Sequence, residues 1–329
     1  MAKKVEKRYL FPEDYMADPS VHVYDGKIWI FPSHDFYSGI PEDDWGIHFD
    51  MKDYHVLSID GDPMTGKVTD HGKILDLKDV PWAKNQLWDC DVCEKDGKYY
   101  LYFPAKDKTG IFRFGVAVAD KPEGPYTPQP DPIRGSYSID ACTFKDDDGS
   151  VYMYFGGLWG GQLQRYNLEN EAVNDIRFPE PEEAAYPARI VKLSDDMLQF
   201  AEDPKPVMVL DENGEPLKEN NPHRFFEASW TFKKDGKYYF TYSTGNYHLL
   251  CYAVSDNPYG PFTYKGEILT PVLGWTTHHS IIEFGGKWYL FHHDCGPSKG
   301  YTPLRSLRVC ELTFNEDGTI ETIDGEGDA

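Results

Sequence analysis

The sequence predicts an all-β fold, a five-bladed β-propeller with four antiparallel strands per blade and its active site in the central channel. A strand–turn–strand phrase recurs five times along the chain, and no segment shows helical periodicity over three turns or more. The chain also contains 23 Tyr, 19 Phe and 8 Trp, with 29 Gly and 24 Pro scattered between apolar runs. This composition is typical of many short strands joined by turns.

Each copy of the repeated phrase reads as a hairpin. An Asp-Gly or Gly-Gly step favours a tight turn with positive φ, and the flanking aromatic and β-branched residues suit a buried pleated surface. The five copies are DPSVHVYDGKIWIFPSHD from 18, DCDVCEKDGKYYLYFPAKD from 89, DACTFKDDDGSVYMYFGG from 140, EASWTFKKDGKYYFTYSTGN from 227 and HHSIIEFGGKWYLFHHDC from 278.

Further strands follow some of the copies. FGVAVADKPEGPYTP (114–128) and LCYAVSDNPYGPFTY (250–264) each run through a proline-glycine corner, which adds a third and a fourth strand to the unit. A sheet cannot bury its faces alone, whereas sheets stacked radially bury both. A sandwich or a barrel would not explain five similar phrases, so we expect residues 1–329 to form one propeller domain.

Composition excludes several classes of partner. The net charge of −22 repels nucleic acid and anionic membrane surfaces and favours a neutral or cationic ligand. No apolar run approaches the roughly 18 residues of a membrane span, and MAKKVEKRYLFPEDY lacks the apolar core of a signal peptide. We expect a cytoplasmic protein as written, or a secreted or periplasmic one where a signal has been removed. The six cysteines are expected to be buried and reduced.

Ionisable residues head all five phrases: Asp18, Asp89, Asp140, Glu227 and His278. The first strand of a propeller blade lines the central channel, so residues at this equivalent position should converge on one axis. Carboxylates crowded in a partly apolar funnel have pKa values that are pushed apart. That separation is what acid and base chemistry on a single bond requires.

The neighbours in sequence suggest which carboxyl takes which role. Glu227 is flanked by Phe225, Phe226 and Trp230, which makes it the best candidate for the protonated acid. Asp18 lies in the polar ADPS step and is the better candidate for the base.

These phrases resemble those of glycoside hydrolase family 43, whose five-bladed propellers remove xylose or arabinose units with inversion. The resemblance extends from ADPSV to RSLRVCELTF. It implies that Asp18 is the general base, Asp140 in YSIDACTF the residue that modulates pKa, and Glu227 in FFEASW the general acid. An inverting mechanism places base and acid roughly 6.5–9.5 Å apart, with a water between them. The implied activity is that of a β-xylosidase or α-L-arabinofuranosidase acting on non-reducing ends of pentose-containing oligosaccharides, with no organic cofactor.

The resemblance also implies substrate-binding residues. The second phrase opens with Trp88-Asp89-Cys90-Asp91 where the family has Trp-Ala-Pro-Asp, so we assign Asp89 no catalytic role. Trp88 is either a sugar platform or a core residue. Arg305 in PLRSLRV matches an arginine that reaches the substrate or the base, and Arg308 is the alternative match. Residues at strand ends near the channel mouth are further candidates for the sugar pocket, namely His34, Asp35, Phe36 and Trp159.

His278 in TTHHSI matches an axial histidine that in many family members helps to hold calcium through water. Calcium normally prefers a full oxygen shell, so the residues alone do not predict this ion. Two alternatives remain: the imidazole hydrogen-bonds the central carboxylates, or His279 is the inward-facing residue.

Other functions fit parts of the same pattern. Insertions at 158–187 and 209–224 could wall one end of the channel into a pocket for exo-acting hydrolysis, whereas an open cleft would suit an endo-acting arabinanase. Exo-acting arabinanase activity is also compatible. A non-catalytic propeller that binds sugar or protein would use the channel acids only for hydration or to hold an ion.

Overall fold

A computed structural model describes residues 2–245 and 247–328, and strands account for nearly all of the regular structure. Three short 3₁₀ turns, at Leu77–Asp79, Trp159–Gly161 and Leu163–Arg165, lie between strands. The strands in chain order are β1 Lys3–Val5, β2 Arg8–Tyr9, β3 Met16–Tyr24, β4 Lys27–His34, β5 Asp53–Asp60, β6 Lys67–Asp76, β7 Ala83–Asn85, β8 Asp91–Lys95, β9 Lys98–Asp107, β10 Phe112–Ala119, β11 Thr127–Pro128, β12 Cys142–Lys145, β13 Val151–Phe155, β14 Ala188–Lys192, β15 Lys205–Val207, β16 Val209–Leu210, β17 Phe225–Lys234, β18 Lys237–Thr244, β19 Leu250–Ser255, β20 Phe262–Leu269, β21 His279–Phe284, β22 Lys287–Asp294, β23 Ser306–Leu312 and β24 Ile323–Asp328.

The described strands form five sheets, and each sheet contains one copy of the repeated phrase. The orders are β3-β4-β5-β6, β12-β13-β14-β15 and β2-β23-β22-β21 for the three four-stranded sheets. A five-stranded sheet has the order β11-β10-β9, with β7 and β8 both paired to β9. A seven-stranded sheet runs β1-β24-β20-β19-β18-β17, with β16 also paired to β20.

The expectation of a five-bladed propeller built from four antiparallel strands per blade is therefore wrong as stated. Two of the sheets exceed four strands, and the pairs β1–β24, β16–β20 and β20–β24 are parallel. The extra strands come from segments outside the repeated phrase, where the sequence has no periodic signal. An outer edge strand such as β20 offers unpaired N–H and C=O groups, and nearby chain segments pair with them. The all-β propeller arrangement itself stands.

The first strands of neighbouring sheets contact one another in a ring. β3 contacts β8, β8 contacts β12, β12 contacts β17, β17 contacts β21, and β21 contacts β3. The ring is closed by the start of the chain, because β2 pairs with β23 in the sheet that otherwise comes from the C-terminal part. Residues at the heads of these strands are thereby brought to one axis.

The core between the sheets is aromatic and aliphatic, as the composition predicted. Tyr54, Tyr102, Tyr154 and Phe103 are among the largest fully buried side chains. All six cysteines are buried, as predicted, and none is bonded to another. In the described residues, no helix is of the length and apolarity needed to span a membrane.

Asp91 links three sheets from within the ring. Its carboxylate accepts hydrogen bonds from Ser20 and from the hydroxyl of Thr143 at 2.6 Å, and it lies 2.5 Å from Nε2 of His22. The residue is fully buried. Burial opposes its ionisation, but the charge of His22 and these hydrogen bonds hold the pKa of Asp91 below its ordinary value.

Replacing Asp91 by Ala should lower the free energy of unfolding by about 3–5 kcal/mol, because the buried partners of the carboxylate lose their acceptor. The native pKa is lowered, so this contribution is present above the ordinary aspartate pKa and is lost on acidification below it. Urea unfolding of both proteins measures the difference. Asp60→Ala, at an exposed position on β5, is the control and should change stability by no more than about 0.5 kcal/mol. Equal stability of Asp91→Ala and the parent would contradict the linking role.

Candidate active site

Backbone irregularities aim the key carboxyl groups into the channel. The pairing register shifts between Ala17 and Ser20 and again on either side of Glu227. Asp18, Asp140 and Ala228 have φ values of 48°, 60° and 61°. Bulges of this kind redirect a side chain near a functional site, and non-glycine residues with positive φ carry strain that the surrounding structure must hold.

One pocket brings all five phrase heads together. It contains about 590 Å³ of space, including its open mouth, within the range of small-molecule sites. Its polar lining includes Asp18, Asp89, Asp140, Glu227, His278 and Arg305, and its apolar walls include Phe49, Met51, Trp88, Ile139, Leu158, Trp159, Phe226 and Trp275. The pocket therefore combines a few convergent ionisable groups with aromatic walls.

Arg305 is clamped between two aspartates. Its Nε and Nη2 donate to the two carboxylate oxygens of Asp35 at 2.8 and 2.7 Å, and its Nη1 donates to Oδ1 of Asp18 at 2.7 Å. Burial opposes the charge on Arg305, but the two carboxylates raise its pKa, so the guanidinium stays charged. The guanidinium thus places a permanent positive charge beside Asp18.

That charge decides the protonation state of Asp18. Burial would raise the pKa of this carboxyl, but Arg305, His293 and His278 outweigh burial and hold the pKa below its ordinary value. The backbone N–H of Asp18 also donates to Nδ1 of His293 at 3.0 Å. Asp18 is therefore an anion at neutral and mildly acidic pH.

The pKa of Glu227 is shifted in the opposite direction to that of Asp18. Desolvation in the aromatic surroundings, with Asp140 and Asp18 nearby, raises the pKa of Glu227 well above its ordinary value, and Arg305 opposes this only in part. The residue is half-buried, so its carboxyl group is still reached from the pocket. A protonated acid and an anionic base consequently share one cavity.

Three of the ionisable side chains that line the pocket also form a close cluster. One ligand atom each from Asp89, Asp140 and His278 lies within 4.8 Å of the others. Burial and the Asp140 carboxyl raise the pKa of Asp89 well above its ordinary value. Burial also raises the pKa of Asp140, although His278 and the amide of Ala228, at 2.6 Å, act in the opposite direction.

The same three residues suit a cation. In the described part of the chain, Oδ2 of Asp89 and Nε2 of His278 are buried without a hydrogen-bond partner, and they lie 3.9 Å apart. Two carboxylates and one imidazole can hold a divalent ion whose remaining ligands are waters. The donor set therefore fits the kind of ion that the family resemblance implies.

Several predicted substrate-binding residues lie in or against the pocket. Trp88 and Trp159 form part of the wall, and the indole N–H of Trp88 donates to the carbonyl of Phe49 at 2.8 Å. Asp35 is reached only through Arg305. His278 rather than His279 lines the pocket, since Nε2 of His279 lies against the hydroxyl of Thr241 at 2.6 Å.

Three other candidates point elsewhere. Phe36 is not among the described pocket-lining residues and instead stacks under the ammonium of Lys52. His34 also lies outside the lining and pairs with Asp53. Arg308, the alternative match to Arg305, donates to Asp294 at 2.8 Å. Position at the end of a strand does not by itself distinguish residues that line the pocket from residues that do not.

The sequence reasoning missed the loop after the first hairpin. Asp44, Gly46, Phe49 and Met51 contribute to the lining, whereas 209–224, one of the insertions expected to wall the channel, does not. The aromatic WGIHF stretch at 45–49 was a usable signal, because exposed aromatics in a loop often serve a ligand.

Trp275 and Thr276 were also missed, although Trp275 directly precedes the TTHHSI motif and Thr276 is its first residue. Gly160 lets the third-sheet loop approach the first-sheet loop, since a Cβ there would lie 2.4 Å from the carbonyl oxygen of Trp45. The pocket wall thus forms where loops from separate sheets meet.

Comparisons with known proteins identify relatives of this chain. The profile of the family described as Glycosyl hydrolases family 43 matches residues 66–320. A xylosidase/arabinosidase of Bacteroides ovatus is 63% identical over 324 residues, which are 98% of this chain and 99% of that protein. A β-xylosidase of Xylanibacter ruminicola is 61% identical over 319 residues, 97% of this chain and 100% of that protein.

A solved structure is similar over the full length. A β-xylosidase/α-arabinofuranosidase from a compost microbial metagenome, in complex with xylotriose and in calcium-free form, superimposes with a TM-score of 0.94. The two sequences are 55% identical, and the match covers 99% of each chain.

Proposed function

Because this chain belongs to glycosyl hydrolases family 43, we propose that it releases xylose, arabinofuranose or both from the non-reducing ends of xylo-oligosaccharides or arabinoxylan fragments. The family resemblance seen in the repeated phrases is confirmed. One observation carries the proposed chemistry: Asp18, with a lowered pKa, and Glu227, with a raised pKa, line the same pocket. Opposed protonation of two carboxyls is what acid–base glycoside hydrolysis needs.

In the proposed reaction, Glu227 donates its proton to the glycosidic oxygen while the bond from that oxygen to the anomeric carbon breaks. Asp18 accepts a proton from a water molecule, whose oxygen bonds to the anomeric carbon from the opposite face. Configuration at that carbon inverts, and the carboxylate and the acid return to their starting states through exchange with solvent.

The neighbours of Asp18 and Glu227 support the assignment of Asp18 as the base and Glu227 as the acid. Arg305 donates to Asp18 and favours its anionic form, and Asp35 fixes the orientation of Arg305 by accepting two hydrogen bonds from it. Asp140 lies near Glu227 and is one of the charges that raise its pKa. We assign Asp140 the modulating role and Arg305 a positioning role toward the base.

The walls of the pocket support an exo-acting mode. Phe49, Trp88, Trp159 and Trp275 surround the carboxyls with aromatic surface, and aromatic faces pack against the C–H groups of a sugar ring. Loops from different sheets close the pocket on several sides, which favours one terminal sugar over an internal segment of a long chain. A scaffold without catalytic activity would not require the opposed protonation of Asp18 and Glu227.

The purified chain should hydrolyse aryl β-xyloside, aryl α-arabinofuranoside or both, and Asp18→Asn should reduce kcat by at least about 10²–10⁴-fold because the attacking water loses its base. Nitrophenol release measures the rate. Proton NMR of the first sugar released reports the anomer, which should be inverted. Asp60→Asn, on the outer face of β5, is the matched control and should keep the parental rate. Retained configuration, or full activity of Asp18→Asn, would contradict the assignment.

Glu227→Gln should slow substrates with poor leaving groups by about 10²–10⁴-fold and affect good leaving groups far less, because a good leaving group departs without a proton. The parent should lose activity on the alkaline side as Glu227 deprotonates, at a pH well above the ordinary glutamate pKa. The amide cannot titrate, so this alkaline limb should vanish in the variant. Both points are tested by measuring the rates of aryl xylosides with different leaving groups, from acidic to alkaline pH. Equal losses across the series would argue against the acid role.

Calcium is the proposed ion for Asp89, Asp140 and His278, and the calcium-free form of the compost-derived relative supports the choice. When bound, it would supply a fixed positive charge at the wall of the substrate pocket. Calcium should raise the melting temperature by a few degrees over a chelator-treated sample, since an ion that binds only the native state stabilises it. Differential scanning calorimetry measures the shift. His278→Ala should remove it, whereas His71→Ala, at an exposed position on β6, should not. An unchanged midpoint in the parent would exclude a calcium site of useful affinity.

A further inference from the structure

We propose that His34, Asp53 and His55 form a binding site for a first-row transition-metal ion of the zinc class, separate from the pocket. One ligand atom from each of the three residues lies within 4.8 Å of the others. None of the three is among the described residues that line the pocket. The site does not depend on the proposed glycosidase function.

Strand geometry brings the three side chains to one face. His34 ends β4 and Asp53 begins β5, and the pairing of Ser33 with Tyr54 sets these two residues opposite each other. Side chains two residues apart on a strand share a face, so His55 lies on the same side as Asp53. Such pairing on a rigid sheet holds ligands more precisely than a loop does.

Each imidazole is oriented by a carboxylate behind it. Oδ2 of Asp14 lies 3.2 Å from Nε2 of His34, and Oδ2 of Asp70 lies 3.0 Å from Nδ1 of His55. These contacts engage one nitrogen of each ring and leave Nδ1 of His34 and Nε2 of His55 as the metal-binding atoms. Metal-bound histidines in proteins regularly have such a carboxylate on the second nitrogen.

The donor set selects the metal. Two imidazole nitrogens and one carboxylate suit zinc, nickel or copper, whereas calcium and magnesium prefer oxygen donors. Zinc binds such atoms at about 2.0–2.2 Å, which brings neighbouring ligands to about 3.3 Å from each other, so small side-chain rotations suffice to close the site. Water would complete the coordination, since His34, Asp53 and His55 are 19%, 16% and 16% exposed.

The groups already in contact do not prevent metal binding. Oδ1 of Asp53 lies 2.5 Å from Nδ1 of His34, a hydrogen bond that the ion would replace by bonds to both atoms. Lys73 occupies the other oxygen, Oδ2, at 2.6 Å and also contacts Asp76 at 2.9 Å. The cluster therefore contains four carboxylates, of which Asp53 and Asp76 contact Lys73 while Asp14 and Asp70 contact the two imidazoles. With one lysine against four carboxylates, the local charge attracts a cation.

Zinc binding is measured by isothermal titration of the full-length His278→Ala variant with ZnCl₂. This variant lacks one of the three potential metal ligands in the channel. The titration should show one zinc ion per chain. His34→Ala and His55→Ala should each weaken this binding at least 100-fold. Asp70→Asn should weaken it by about 10–100-fold, the usual effect of losing a carboxylate behind a metal-bound histidine. Calcium at the same concentration should not compete.

The matched control is His71→Ala, which removes an exposed histidine of the same sheet that contacts the hydroxyl of Ser58 at 2.8 Å. It should bind zinc as the parent does. Circular dichroism of each metal-free variant establishes that it is folded. Zinc binding that is absent from the folded His278→Ala protein, unchanged in His34→Ala and His55→Ala, or weakened equally by His71→Ala would overturn the proposal.

Discussion

The charge on Arg305 is the constraint on which the chemistry of the pocket depends. The buried guanidinium of Arg305 donates two hydrogen bonds to Asp35, which orients its remaining nitrogen toward Asp18. That pairing keeps Asp18 anionic although burial favours its neutral form. Since Asp18 stays charged, it helps to raise the pKa of Glu227, which lines the same cavity. One cation thus contributes to the opposed protonation on which the proposed base and acid roles rest.

Ring closure makes this arrangement possible. Arg305 is far in the sequence from Asp18 and Asp35, yet the first strands contact one another in a cycle that β2 closes through β23. A packed ring of sheets resists deformation because every first strand is held by two neighbours. The strained backbone at Asp18 and Asp140 is therefore sustained by the surrounding sheets, and the acidic groups remain aimed at the axis.

The aromatic walls illustrate how specificity is added to this frame. Residues of the loops, such as Phe49 and Trp275, complete a cavity whose floor is set by the strands. In the proposed function, residues at the strand heads hold the protons, while loop residues select the sugar. Relatives named as xylosidase/arabinosidase and as β-xylosidase are more than 60% identical to this chain.

The sequence by itself determined the propeller repeat, the acids at the phrase heads and the burial of the cysteines, because these follow from local periodicity, turn chemistry and residue type. From its aromatic neighbours the sequence also predicted Glu227 as the acid, a role that stays a prediction. Only the tertiary structure decided that His278 rather than His279 lines the pocket, that Arg305 donates to Asp35, that His34 and Phe36 lie outside the wall, and that β1, β16 and β24 extend a sheet. Those outcomes depend on contacts between segments distant along the chain, and no local pattern encodes which segments will meet.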